Sequence, residues 1–242
     1  GGCIMSVLKL GVPSKGRLQD KTMEWFAGHG ITLSRTGNER EYSGVVSGVD
    51  GVELVMLSAG EIPRELKAGR IHLGVTGTDL IHEKLPLWER VVVNLQELGF
   101  GQADLIIAVP NGWIDVDCIE DLDGVAAQFR ANHGYRLRIA TKYHNLVRNF
   151  LRSRGVADYQ LVDSQGATEG VVKNLTAEAV ADITSSGATL EANHLKILTD
   201  GLILQSQACV FASRSADWSK AAVVALDDMA DKTGWDLSGL KI

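Results

Sequence analysis

The sequence predicts an α/β fold, and three observations carry the prediction. Short apolar runs of strand length alternate with amphipathic stretches along the whole chain, the pattern of βα units rather than of an all-helical or all-strand protein. Hydrophobic residues make up 45% and charged residues 22% of the 242 residues, the balance of a globular protein with a sizeable core. No repeat, low-complexity tract, charge block or Pro/Gly/Ser linker interrupts the alternation. Mainly parallel sheets are expected from it.

The elements follow in order. VLKLGV at 7–12 is a short buried strand, broken by PSKG and followed by the helix LQDKTMEWFAGHG, closed by Gly28 and Gly30. YSGVVSG and VELVML form a hairpin with Asp50-Gly51 in its turn. EIPRELKAG is a helix with Pro63 in its first turn and Gly69 at its end. HLGVTG is a strand and TDLIHEKL a helix; VVVNLQEL and DLIIAVP are two strands separated by the GFG of 99–101. DLDGVAAQFRANHG is a helix, LRIAT a strand, HNLVRNFLRSRG a helix and YQLV a strand. GATEGVVKN is a short helix, AVADIT a strand, and TLEANHL a helix. KILTDGLILQSQACVFAS makes two strands, and SADWSKAAVVALDDMADKTG the last helix. A split into two domains then falls near GFG and again near HLKIL, giving 1–99 plus 196–242 as a discontinuous first domain and 100–195 as the second. In such folds ligands sit at the carboxyl ends of strands.

Several function classes are excluded. The net charge of −6 leaves no basic footprint for nucleic acid. No apolar run reaches the roughly 18 residues of a membrane span. The opening GGCIMSVLKLG lacks a charged segment ahead of a long apolar core, so no signal peptide is expected and Met5 reads as the natural start. Cys3, Cys118 and Cys209 are odd in number and widely spaced, which argues against a disulfide framework and a structural zinc site and fits a reducing cytoplasm. The six histidines form no ligand pair and read as surface or helix-end residues.

Three strand–helix loops are chemical candidates. LGVPSKGRL at 10–18 contains G-x-x-x-x-G, but Arg17 and Leu18 replace the lysine and hydroxyl of a P-loop, which makes a stand-alone ATPase a poor fit. Lys15 and Arg17 nevertheless put two cations at a strand–helix junction, suited to phosphate; a solvated loop is the alternative. GVTGTDL at 74–80 offers Gly77 for close approach and Asp79 either to cap the following helix or to accept a ligand hydrogen bond. The third, VADITSSGATLEANH at 180–194, places Asp182 ahead of a turn with Thr184, Ser185, Ser186, Gly187 and Thr189. Ser185 or Ser186 could simply cap the next helix. The backbone N–H groups and hydroxyls also suit a terminal phosphate, with Asp182, and with Glu178 and Glu169, placed for ribose hydroxyls.

At this point the sequence resembles the ATP phosphoribosyltransferase family. The resemblance runs along nearly the whole chain, through PSKGRL at 13–18, EIPRELKAGRIHLGVTGTDLI at 61–81, LGFGQADLIIAVP at 98–110, RIATKYHNLVRNFL at 138–151, GATEG at 166–170 and AEAVADITSSGATLEANHLKIL at 177–198. It implies two α/β domains resembling type II periplasmic-binding-protein lobes, with the active site in the cleft between them. It implies transfer of the phosphoribosyl group of phosphoribosyl pyrophosphate to N1 of ATP, the first step of histidine biosynthesis. Asp182, Ile183, Thr184, Ser185, Ser186, Gly187, Ala188, Thr189 and Leu190 are then the phosphoribosyl loop, with Glu169 and Glu178 beside it. Lys15, Gly16, Arg17 and Leu18 hold nucleotide or pyrophosphate, and Gly77, Thr78 and Asp79 line the ATP side. Asp182, Arg17 and Lys15 are the residues implied in catalysis. Mg²⁺ arrives with the substrates, since no all-carboxylate cage is visible.

Two departures stand out: LSAG at 57–60 lacks the arginine many relatives carry before the acidic-Ile-Pro motif, and Leu175 stands where glycine is expected. Only DLSGLKI follows the last helix, which resembles the short form that works with a histidyl-tRNA-synthetase-like regulatory subunit, in hetero-oligomers and homo-oligomers. The rival reading is a non-enzymatic, two-lobed small-anion-binding protein.

Overall fold

The computed structural model describes residues 8–37, 43–164 and 177–242. The chain divides into two compact units, residues 1–101 with 207–242, and residues 102–206. The first is therefore built from two separated stretches of sequence. The return falls after Ser206, later than the HLKIL crossing expected from the sequence, because the strand Leu195–Ser206 pairs within the second unit.

The first unit carries a seven-stranded sheet in the order β2-β3-β4-β1-β5-β12-β6. Its strands are β1 (Leu8–Pro13), β2 (Thr32–Arg35), β3 (Ser43–Ser47), β4 (Val52–Leu57), β5 (Leu73–Gly77), β6 (Val92–Glu97) and β12 (Ala208–Ser213). β4 and β5 run parallel to β1, whereas β2, β3 and β12 pair antiparallel with their neighbours. The second unit carries the order β11-β7-β10-β8-β9, from β7 (Ala103–Pro110), β8 (Leu137–Thr141), β9 (Tyr159–Asp163), β10 (Ala179–Thr184) and β11 (Leu195–Ser206). Here β8 is parallel to β9 and β10, and β7 is antiparallel to β10 and β11. The sheets are thus mixed, which corrects the expectation of mainly parallel ones. The tight Asp50-Gly51 turn sends β4 back antiparallel beside β3, as a short connection requires, and β12, which enters after β11 of the other sheet, runs antiparallel between β5 and β6.

Helices cover both faces of the first sheet. Leu8, Leu10, Val12, Val75 and Val210 pack with Phe26 of α1 (Gly16–Ala27) and with Leu226 and Met229 of α8 (Lys220–Thr233). The opposite face places Cys209 and Phe211 against Ile62 and Leu66 of α2 (Ile62–Ala68) and Ile81 of α3 (Thr78–Lys84). β12 is accordingly buried at all six positions, the pattern of a strand covered on both sides. A one-turn helix, α4 (Trp88–Val91), precedes β6. In the second unit Ile106, Ala108, Ala140 and Val180 form one side of a core with Leu190 of α7 (Ala188–Ala192) and Leu195; α5 (Ile119–His133) and α6 (His144–Ser153) complete the unit.

Two expectations shift locally. α1 begins at Gly16, not at Leu18, so the PSKG break is partly helical. His72, read from sequence as a surface or helix-end residue, is buried at 6% exposure. Its Nδ1 accepts the Lys9 N–H at 3.0 Å and its Nε2 donates to the Asp217 carbonyl at 2.8 Å, which ties β1 to the loop before α8. The short helix expected at GATEGVVKN lies outside the described residues.

Candidate functional site

The first unit gathers its strand–helix loops at one edge. β1, β4 and β5 are parallel, and β6 shares their direction because β12 is antiparallel to both β5 and β6. Their carboxyl ends therefore lie together, where ligand-binding loops collect in α/β sheets. The loops are pinned to one another. The Ser14 N–H donates to the Leu57 carbonyl at 2.8 Å, and the Arg35 guanidinium donates to the Ser14 carbonyl. Thr76 Oγ1 donates to the Ala59 carbonyl at 3.0 Å, and the Ser58 N–H to Glu61 Oε2 at 3.1 Å. Gln207 joins two loops: its side-chain oxygen accepts from the Gly99 N–H at 3.2 Å and its carbonyl from the Thr78 N–H at 3.0 Å.

Lys15, Gly16 and Arg17 are exposed on this edge, and among the described residues neither cation makes an ion pair. Lys15 is the N-cap of α1, with no side-chain cap and no acidic residue in the first turn. The helix N-terminus and both cations therefore offer positive charge to an anion. Gly16 adopts φ 78°, a left-handed conformation that costs a side-chain-bearing residue about 1–2 kcal/mol.

Three neighbours are engaged within the fold. Leu18 turns inward and packs against the main core, with its methyl carbon near Gly101. The Thr78 hydroxyl donates to the Gln207 carbonyl at 3.0 Å. Asp79 lies inside the first turn of α3 and is buried at 8% exposure; the N-cap of that helix is Gly77. Leu18 joins the edge to the core by apolar packing, and the Thr78 hydroxyl joins it to Gln207.

The second unit presents the hydroxyl-rich turn at the carboxyl end of β10. Thr184 Oγ1 accepts the Gly187 N–H at 2.8 Å and Ser186 Oγ accepts the Ala188 N–H at 3.3 Å. Gly187, the N-cap of α7, has φ 76°. Ser186 thus caps the first N–H of α7 from the residue before the N-cap, as the capping alternative allowed for one of these serines. Among the described residues the hydroxyls of Ser185 and Thr189 have no hydrogen-bond partner, and both residues are exposed. Asp182 is half-buried, and its Oδ1 accepts the Ile183 N–H at 2.8 Å. Ile183 is half-buried, Ala188 is exposed, and Leu190 is buried in the core and anchors α7.

Glu178 is not at this turn. It precedes the first residue of β10, so it stands four residues, about 13 Å at ~3.3 Å per residue, from Asp182 toward the opposite end of the strand. There it receives the Arg138 N–H at 2.7 Å and Arg138 Nη2 at 2.6 Å. Its carboxylate is engaged with Arg138 at that end of the strand. Glu169 lies outside the described residues. Two residues that the sequence reading left out do stand near the turn. Asp104 opposes Thr184 across the β7–β10 ladder, and the exposed Lys142 follows the Thr141↔Ala181 pair. No local motif marks either one, because only strand register brings them beside residues some 40 or 80 positions away.

Two variants separate these roles. Arg17→Leu is expected to raise the KM of a phosphorylated substrate roughly tenfold, the effect of losing a charge-assisted hydrogen bond. Its thermal midpoint moves by less than about 2 °C, because an exposed cation contributes little to folding. A collapsed midpoint with unchanged kinetics in the surviving enzyme makes Arg17 structural. Glu178→Gln should do the reverse: a loss of about 1–3 kcal/mol in denaturant unfolding, with kcat/KM changed by less than about twofold. A large kinetic defect in a stably folded variant restores Glu178 to the site.

A family model described as ATP phosphoribosyltransferase matches residues 58–232. An ATP phosphoribosyltransferase of Cereibacter sphaeroides is 72% identical over 89% of this chain and 91% of its own length. One from Rhodopseudomonas palustris is 53% identical over 88% of this chain, which spans 66% of that longer relative. Among solved structures, an ATP phosphoribosyl transferase (HisG:HisZ) complex from Thermotoga maritima superposes with a TM-score of 0.70 at 23% identity, over 94% of this chain and 99% of that one. A histidine kinase sensor domain with similarity to periplasmic binding proteins reaches 0.50 at 13% identity, over 95% and 92%. At those identities the structures speak for the fold alone.

The sequence relatives define a phosphoribosyl-transferring enzyme, and the solved structures show that its fold is shared with periplasmic-binding-protein-like domains. The chain belongs to the ATP phosphoribosyltransferase family.

Proposed function

We propose that this chain catalyses attack of N1 of ATP on C1 of phosphoribosyl pyrophosphate, releasing pyrophosphate and giving N1-(5-phosphoribosyl)-ATP in the first step of histidine biosynthesis. The observation that carries the reading is the turn after β10, with its exposed hydroxyls, its left-handed Gly187 and Asp182 at the strand end. The 5′-phosphate takes the hydroxyls and N–H groups of Thr184 to Thr189, while the Asp182 carboxylate accepts hydrogen bonds from ribose hydroxyls. Positive charge develops on the ribose as the bond to pyrophosphate breaks, as in other glycosyl transfers. Negative charge develops on the leaving group, and Lys15 and Arg17 supply cations to the anionic groups of the substrates. No protein nucleophile is needed, because ATP N1 is the nucleophile and the enzyme's work is alignment and charge compensation.

Among the described residues no group of three or more His, Cys, Asp or Glu is placed to hold a metal ion. One carboxylate and several hydroxyls at the turn suit a Mg²⁺ held chiefly by pyrophosphate oxygens and water; when bound, it neutralises the leaving group. The chain acts with a regulatory subunit in this reading, as the Thermotoga maritima complex does. The match over 91% of the Cereibacter relative's length supports the short form. Among the described residues no helix is long and apolar enough to cross a membrane, which fits a cytoplasmic setting.

The test is incubation of the chain with ATP, Mg²⁺ and labelled phosphoribosyl pyrophosphate. Pyrophosphate release coupled to formation of the N1 adduct is expected. Saturable binding with no release, with and without a synthetase-like subunit, favours a non-enzymatic anion-binding protein instead.

A further inference from the structure

Between Gly124 and Ala157 the chain has seven Lys and Arg residues and no Asp or Glu, although the whole protein carries a net charge of −6. Its charges are spaced among apolar positions and form no continuous run. The fold sorts them. Arg130 pairs with Asp158, Arg138 with Glu178 and Arg154 with Asp200. Arg136, Arg148 and Arg152 have no carboxylate partner among the described residues. Those three line a single concave groove between α6 and β9, the outermost strand of its sheet.

The geometry is specific. His144, Arg148 and Arg152 recur at i, i+4 and i+8 on α6, so they form a stripe on one helix face, while Val147 and Leu151 are buried on another. Tyr159, the first residue of β9, faces the stripe. Burial pushes its phenol above the ordinary range, and the charges of Arg148 and Arg152 oppose that rise, which places both guanidinium groups within electrostatic reach of the ring. Arg136 enters just before β8. His144 is engaged by Asp163, the one acidic side chain recorded against this stripe among the described residues. Like charges four residues apart on a helix repel, so the stripe weakens α6 unless an anion fills the groove. Planar guanidinium forks converging from a helix and a strand match phosphate oxygens in pairs.

We propose that the α6–β9 groove is a second anion site, separate from the turn after β10, and that it takes a small phosphate-bearing molecule through Arg136, Arg148 and Arg152. The site lies wholly within the second unit and does not depend on the transferase reading. A phosphorylated metabolite bound there acts as an effector, since the groove contains neither the phosphoribosyl turn nor the cations at Lys15 and Arg17.

The test titrates pyrophosphate, and in parallel inorganic phosphate, into the full chain at about 0.15 M salt, an ionic strength that screens loose surface charge. Ring signals of Tyr159, assigned with Tyr159→Phe, are followed by NMR together with the amide signals of Ser185 and Ser186. A saturable shift at Tyr159 is expected. Arg148→Gln combined with Arg152→Gln should weaken it by at least about tenfold, while the titration of Ser185 and Ser186 and the transferase rate without effector stay unchanged. The single variant Arg148→Gln, which leaves more of the helix surface intact, should show an intermediate loss. A Tyr159 signal that stays fixed while Ser185 and Ser186 respond overturns the proposal. So does a shift that the arginine variants do not reduce, or a response to polyglutamate or an oligonucleotide with none to pyrophosphate.

Discussion

Phe211→Ala is expected to remove about 3–5 kcal/mol of folding stability, the range for emptying a fully buried aromatic site. Phe211 is 0% exposed and packs with Ile62, Leu66, Ile71 and Ile81 beneath α2 and α3. It stands on β12, hydrogen-bonded on one side to β5 and on the other to β6. Neither sheet neighbour can move into the space without breaking its ladder, so the cavity term adds to the lost transfer energy. Native stability is about 5–15 kcal/mol, so one substitution consumes a large share of it. Denaturant unfolding checks this: the midpoint falls while the m-value is held. Val224→Ala on α8, at a residue 58% exposed, is the matched control and should stay within about 0.5 kcal/mol. A loss below about 1 kcal/mol for Phe211→Ala would mean that the helices collapse onto the sheet and refill the site. The consequence reaches function, because β12 begins directly after Gln207, which joins the loops at Gly99 and Thr78.

Asp182→Asn should lower kcat/KM for phosphoribosyl pyrophosphate about tenfold to a hundredfold, or about 1.5–3 kcal/mol, the contribution of a hydrogen bond to a charged group. The substitution keeps the shape and one acceptor oxygen, so the Ile183 N–H that now meets Oδ1 at 2.8 Å retains a partner. What is lost is the negative charge at the end of β10. The thermal midpoint therefore changes little while catalysis falls. The paired measurement of KM for ATP localises the effect: a defect confined to phosphoribosyl pyrophosphate places Asp182 against the sugar, and an equal defect in both substrates points to a general loosening of the turn. An unchanged kcat/KM in the folded variant would take Asp182 out of the site.

The local elements were legible in the sequence because each one has its own periodicity and punctuation. AVADIT is the strand Ala179–Thr184 residue for residue, since a buried apolar run ends where hydroxyls and glycine begin. The Asp50-Gly51 hairpin, Pro63 in the first turn of α2 and Gly69 at its end were equally readable, because turn and cap chemistry acts over a few residues. The family was legible too, from motifs kept in order along the chain. Tertiary structure decided what depends on partners far away in sequence. KILTDGLILQSQACVFAS reads as two strands, yet Leu195–Ser206 joins one sheet and Ala208–Ser213 the other, with Gln207 between them. Glu178 and Asp182 are four residues apart on paper and look like one acidic pair; extended backbone puts them toward opposite ends of β10, and Arg138 claims the first. The same holds for Thr78, whose hydroxyl meets the Gln207 carbonyl, and for Asp79, which is buried. Strand pairing and burial are collective, set by which surfaces exclude water together, and no window of neighbouring residues contains that information.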